Sequence, residues 1–119
     1  AAMFASTYEL DNLIGIIDRN RLQIAGDTEK VMKLEPLGDR WKSFGWEVEE
    51  VNGHNIEEMV KALNSLSYNK KPHLIIAHTI KGKGISFMEN NFKWHHGVLN
   101  EEQFEKAMKE LTEQEEEIL

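Results

Sequence analysis

The sequence predicts an α/β fold: a mainly parallel sheet flanked by helices. Two observations carry the class. Short apolar runs bounded by turn formers alternate along the chain with segments of helical periodicity, and two of those runs are continuous rather than alternating. A continuous run suits a strand covered on both faces, as in a parallel sheet. The order strand, helix, strand, helix, strand then gives a layered α/β structure.

Element by element, Ala1-Ala2-Met3-Phe4-Ala5 favours a helix from the first residue, with no capping residue ahead of it. That abrupt start suggests a chain lacking its front. Asp11-Asn12 breaks the helix, and Leu13 to Ile17 is a continuous apolar run expected to be buried on both faces. A polar stretch covers Asp18 to Thr28, and Pro36 to Phe44 reads as a helix stopped by Gly45. Trp46 to Val51 reads as a second strand, its Trp46 and Val48 alternating with Glu47 and Glu49 as at a sheet edge. Asn55, with Glu58 three residues on, caps a helix whose Ile56, Met59, Val60, Leu63 and Leu66 share one face. Pro72 precedes a third strand, Leu74 to Ala77. A glycine-rich loop comes next, then a last helix from Asn100 with Phe104, Ala107, Met108 and Leu111 on one side.

Composition narrows the function. The 119 residues fit one domain, expected over 1–119, and 40% hydrophobic with 29% charged residues is ordinary for a globular chain. The longest apolar run, Leu13 to Ile17, is far short of the roughly 20 residues of a membrane span. Fourteen Lys and Arg against 21 Asp and Glu give a net charge of −7, which argues against nucleic-acid or anionic-membrane partners. Cysteine is absent, which excludes disulfides, thiol catalysis and thiolate zinc sites and leads us to expect a cytoplasmic location. Ala1 to Tyr8 lacks the basic region of a signal peptide.

Open α/β sheets bind ligands beyond the carboxyl ends of their strands. Two polar segments leave such ends: Asp18-Arg19-Asn20-Arg21-Leu22-Gln23-Ile24-Ala25-Gly26, and His78-Thr79-Ile80-Lys81-Gly82-Lys83-Gly84. By position alone Asn20 reads as a turn residue after a strand, and His95, beside His96, as an exposed loop histidine. Asp18 and Arg19 read as a solvated loop pair without a role. His54, His73 and His78 read as structural. Lys81 and Lys83 suit either solvent or an anion approached by the glycine-loop amides.

Taken together, these segments resemble the transketolase family. The resemblance is carried by Leu10-Asp11-Asn12-Leu13-Ile14 through Asp18-Arg19-Asn20 and Ile24, by Phe44-Gly45-Trp46-Glu47-Val48, and by Val51-Asn52-Gly53-His54-Asn55. It continues through Ala77-His78-Thr79-Ile80-Lys81-Gly82-Lys83-Gly84-Ile85-Ser86-Phe87-Met88-Glu89-Asn90 and Trp94-His95. The order and spacing span nearly the whole chain and are nearest to the short N-terminal subunits of split transketolases.

The resemblance implies a partial thiamine-diphosphate-binding fold within an enzyme that uses thiamine diphosphate and Mg²⁺ to transfer two-carbon ketol units between sugar phosphates. It places the chain in the C-terminal part of the diphosphate-binding domain, with a C-terminal, pyrimidine-binding subunit as partner in a hetero-oligomer. Asn20 would be the closing Asn of the family's metal motif, and Leu22 would offer its backbone carbonyl to the same ion. Mg²⁺ takes about six hard oxygens, often few of them from protein, so an amide oxygen and a nearby carbonyl on one tight loop suit it. Ile24 would line the cofactor site, although a buried hydrophobe explains it too. His95 would reach the diphosphate and the donor substrate, as the catalytic and cofactor-binding histidine, a place suited to an imidazole.

The Gly-Asp-Gly opening of the metal motif is not in these residues, nor is the carboxylate that activates the cofactor's aminopyrimidine, which belongs to the partner. The isolated chain is therefore expected to be inactive. Ala25 and Leu99 stand where the family often has Asp and Pro. Two alternatives stay open: another split thiamine diphosphate enzyme, acting on an unusual sugar phosphate or of the deoxyxylulose-phosphate synthase type, and a non-catalytic scaffold domain.

Overall fold

The computed structural model describes residues 1–118, with side chains described through Glu115. Its elements run α1 (Ala2–Thr7), β1 (Ile14–Arg19), β2 (Leu22–Gln23), β3 (Gly26–Asp27), α2 (Thr28–Val31), α3 (Leu37–Ser43), β4 (Glu47–Asn52), α4 (Ile56–Asn64), β5 (His73–His78), a 3₁₀ turn (Phe92–His95) and α5 (Glu101–Ile118). They form two compact units: residues 1–20 with 33–79, and residues 21–32 with the chain from Ile80 onward.

The first unit is built on a parallel sheet ordered β1-β5-β4. β5 lies in the middle, and its residues His73 to Ala77 are all buried. Successive side chains of a strand point to opposite faces, so β5 divides its residues between two cores. Leu74 and Ile76 pack with Ala5 and Trp46, beneath Ala2, Leu37 and Trp41 of α1 and α3. Ile75 and Ala77 pack with Val51 and with Ala62 and Met59 of α4. This is the helix-flanked parallel sheet that the sequence predicts.

The local signals also hold. α3 ends in a Schellman motif, with Trp46 N bonded to Trp41 O at 3.3 Å and Gly45 N to Lys42 O at 2.9 Å. Gly45 itself sits at φ 89°, a conformation glycine adopts without penalty. Asn55 Oδ1 accepts Glu58 N at 3.2 Å at the start of α4, and Glu58 Oε2 accepts Asn52 N at 2.9 Å. β4 is an edge strand, as its alternation suggests.

One expectation about a buried face needs correction. β1 is also an edge strand, and Ile14 and Ile16 remain 41% and 54% exposed. They lie on the α4 side of the sheet, in register with His73 and Ile75, but α4 packs on β4 and leaves β1 uncovered. On α4 only Met59 and Ala62 face the core, whereas Ile56, Val60 and Leu63 are exposed. The periodicity identifies the helix but not which of its apolar positions the sheet covers.

In the second unit, β2 and β3 form an antiparallel hairpin with Ile24-Ala25 at its tip, and α2 comes next, capped by Asp27 Oδ1 on Glu29 N at 2.8 Å. α5 opens with a reciprocal capping box. Asn100 Oδ1 accepts Gln103 N at 2.8 Å while Gln103 Oε1 accepts Asn100 N at 3.1 Å. Ala107 is buried, and Phe104, Met108 and Leu111, on the same side of the helix, are about half exposed.

The assignment of α4 faces can be tested in the full-length protein by denaturant unfolding. Ile75→Ala, at a fully buried position, should cost about 2–5 kcal/mol. Ile56→Ala, at a position 72% exposed within this chain, should cost less than Ile75→Ala.

Candidate functional site

The parallel register brings the carboxyl ends of three strands of the first unit to one edge. Arg19 and Asn52 both lie opposite His78, so Asn20, Gly53 and Thr79 each begin the segment that leaves the sheet. Gly53 N donates to His78 O at 2.8 Å, and a Cβ on Gly53 would sit 2.6 Å from Thr79 Cγ2. Only glycine lets the β4 and β5 exits approach this closely.

Polar pairs fix this edge. Thr79 Oγ1 donates to Asp18 Oδ1. His78 Nε2 meets Glu50 Oε2 at 2.7 Å, and buried His73 has Nε2 2.7 Å from Ser67 O. Both histidines therefore have structural partners, as the sequence suggests. Arg19 differs from its expectation. It is buried, not solvated, and its Nη2 and Nε reach Glu35 Oε1 at 2.8 and 3.1 Å. Glu35 Oε2 also accepts Leu37 N at 2.9 Å, so one carboxylate pairs the buried guanidinium and caps α3.

Asn20 comes directly after β1 and is partly buried. The next residue, Arg21, has φ 63°. For a residue with a Cβ this left-handed conformation costs roughly 1–2 kcal/mol, and such residues gather at ligand clamps. It turns the backbone sharply at Arg21.

In the second unit, β2 packs against the 3₁₀ turn, which brings Leu22 beside the Phe92–His95 segment. Ile24, at the hairpin tip, is 62% exposed within this chain. His95 is exposed, with its ring 4.7 Å from that of His96. Gln23 Nε2 is buried without a hydrogen-bond partner. An orphaned donor, an apolar tip and an imidazole on adjoining segments suit an anionic ligand with an apolar part.

The preceding loop is held by α5. Ser86 donates through Oγ to Glu110 Oε1 and through N to Glu110 Oε2, both at 2.6 Å. The Ser86 hydroxyl first, then its amide and the Lys106 ammonium, hold the Glu110 carboxyl below its ordinary value. Lys83 pairs with Glu89 at 3.5 Å and remains about half exposed. Arg19, Gln23, Ser86 and Glu110 escape sequence reasoning because their partners are distant in the chain and no periodic pattern marks them. Among the described residues no three His, Asp or Glu converge as a metal cage.

A parallel sheet with polar turns at its carboxyl edge and a glycine loop leaving its central strand defines an α/β ligand-binding domain. Residues 1–118 match the family described as "Transketolase, thiamine diphosphate binding domain". The chain belongs to that family. It is 57% identical over 114 residues to an apulose-4-phosphate transketolase subunit of Phocaeicola vulgatus, covering 95% of this chain and 41% of that protein. It is 44% identical to a 6-deoxy-6-sulfo-D-fructose transketolase subunit of Clostridium sp., over 96% of this chain and 42% of the relative. The crystal structure of Campylobacter jejuni transketolase superposes with a TM-score of 0.84 at 37% identity, covering 93% of this chain and 17% of that one. The chain thus spans about two fifths of the length of the subunit-sized relatives it matches.

The paired edge predicts a stability effect. Glu35→Ala leaves the Arg19 guanidinium without this carboxylate and uncaps α3, and should lower stability by about 1–3 kcal/mol. Lys61→Ala, at an exposed position on α4, should cost less; urea unfolding of the full-length protein compares the two.

Proposed function

We propose that this chain is the C-terminal part of the diphosphate-binding domain in the N-terminal subunit of a split transketolase, contributing metal and diphosphate contacts. The observation that carries the reading is the packing of the Leu22 strand against the turn bearing His95. Two segments that the family resemblance selects independently are neighbours in one compact unit. The relatives named as transketolase subunits support a two-subunit enzyme, completed by a pyrimidine-binding partner.

In this reading Asn20 offers its side-chain amide oxygen and Leu22 its backbone carbonyl to Mg²⁺, on either side of the Arg21 turn. Ile24 gives an apolar surface to the cofactor, and His95 donates to anionic oxygen of the diphosphate or the donor sugar. Bound thiamine diphosphate supplies a carbon centre that carries a two-carbon ketol unit between sugar phosphates. The residues of this chain bind and orient it. The relatives act, by their names, on apulose 4-phosphate and 6-deoxy-6-sulfo-D-fructose. The substrate proposed for this chain is correspondingly a phosphorylated or sulfonated sugar, with the choice among them made by residues other than Asn20, Leu22, Ile24 and His95.

Two outcomes test this. The 119-residue chain alone, given cofactor and Mg²⁺, should show no ketol transfer, and turnover by it would contradict the proposed division of labour. In the complete two-subunit enzyme, Asn20→Ala should weaken Mg²⁺ and thiamine diphosphate together, with activity partly restored by excess Mg²⁺. His95→Ala should leave the Mg²⁺ requirement unchanged and lose roughly 1.5–3 kcal/mol of binding or transition-state stabilisation. Mg²⁺ titrations that coincide for the two variants would refute the assignment.

A further inference from the structure

The loop from Lys81 to Asn91 contains no helix or strand, yet it leads directly into the turn that carries His95. Its base is closed by Asn90 N on Lys81 O at 3.0 Å. Gly82 and Gly84 take φ of 73° and 96°, and a Cβ on Gly82 would lie 2.7 Å from the Met88 backbone. The loop can therefore fold back on itself only with glycine at that position. Within the loop, Gly84 N donates to Glu89 Oε1 at 3.1 Å.

Its outer side is fastened to α5 at two places one helical turn apart. Glu110 engages Ser86 with both carboxylate oxygens, and Gln114 Nε2 donates to Gly84 O at 2.8 Å. Hydrogen bonds to an ionised acceptor are the stronger kind. The chain then passes directly from the fastened residue to the turn. Phe87, next to Ser86, accepts Trp94 Nε1 on its carbonyl at 3.1 Å, and the two rings lie 5.6 Å apart. Lys106, one turn before Glu110 on α5, sits 5.4 Å over the Phe87 ring. Trp94 is the immediate neighbour of His95.

We infer that Glu110 and Gln114 are positioning residues: by fastening Ser86 and Gly84 to α5 they fix Phe87 and Trp94, and so set where His95 meets the diphosphate end of the cofactor. This deepens the proposed function and rests on it. Both residues act through Ser86 and Gly84. Their effect passes through a continuous run of hydrogen bonds and ring contacts within one compact unit, the kind of physical route that positional coupling needs.

The test uses the complete two-subunit enzyme and thiamine diphosphate with Mg²⁺, comparing wild type with Glu110→Gln, Ser86→Ala and Ser86→Thr. Glu110→Gln removes the charge and leaves a single neutral acceptor for the two Ser86 donors, whereas Ser86→Ala removes a single hydroxyl and guards against a folding defect in the first variant. Ser86→Thr keeps hydroxyl and amide. Hydrogen exchange of the ligand-free enzyme should rise about tenfold across residues 84–95 in Glu110→Gln and Ser86→Ala, with the sheet strands unchanged. Cofactor Kd by calorimetry should rise about fivefold in the same two variants, while Ser86→Thr stays within twofold of wild type. Faster loop exchange with an unchanged Kd would make the fastening a structural staple and overturn the inference, as would unchanged exchange. Failure of the wild-type enzyme to bind thiamine diphosphate would overturn the functional reading itself, and the inference with it.

Discussion

The first unit depends on β5. Flanked by β1 and β4 and buried along its length, this strand uses both its backbone edges and both its faces. Its parallel register sets the level of every neighbouring strand end. The same pairing that places Ile75 under α4 and Ile76 under α1 and α3 also ends the three strands together. Asn20, Gly53 and Thr79 leave the sheet there, and the glycine loop starts from the same strand end. Cutting the buried area of β5 would therefore disturb the polar edge as well as the core.

That edge is made of charges and amides that find partners locally. Arg19 is buried and shares Glu35 with the α3 amide, Asp18 takes the Thr79 hydroxyl, and Glu50 holds His78. Buried polar groups are tolerable only when so paired. Among the described residues, no carboxylate cage surrounds Asn20.

The sheet and its helices are legible in the sequence because their signals are local. Continuous apolar runs mark β1 and β5, alternation marks the edge strand β4, and Gly45 and Asn55 mark helix ends whose hydrogen bonds are present as expected. Which apolar positions a neighbour covers is not legible. Ile14, Ile16, Ile56 and Val60 keep the right period and remain exposed within this chain, because the period of an element does not specify which neighbour covers it. The same limit applies to the site. Asn20, Leu22, Ile24 and His95 emerge through a family resemblance of ordered motifs; position alone leaves Asn20 a turn residue and His95 a surface one. Glu110 and Gln114 are invisible in sequence, since their partners lie 24 and 30 residues away in an irregular loop.

In the proposed function one short loop, from Asn20 through the left-handed Arg21 to Leu22, supplies this chain's share of a metal-diphosphate site. A crystal structure of the full-length subunit with its partner, thiamine diphosphate and Mn²⁺ in place of Mg²⁺ tests it directly, because Mn²⁺ marks its own position by anomalous scattering. The expected result is an anomalous peak within bonding distance of Asn20 Oδ1 and the Leu22 carbonyl oxygen, bridged to the diphosphate. A fully occupied metal with neither atom in its coordination sphere would contradict it.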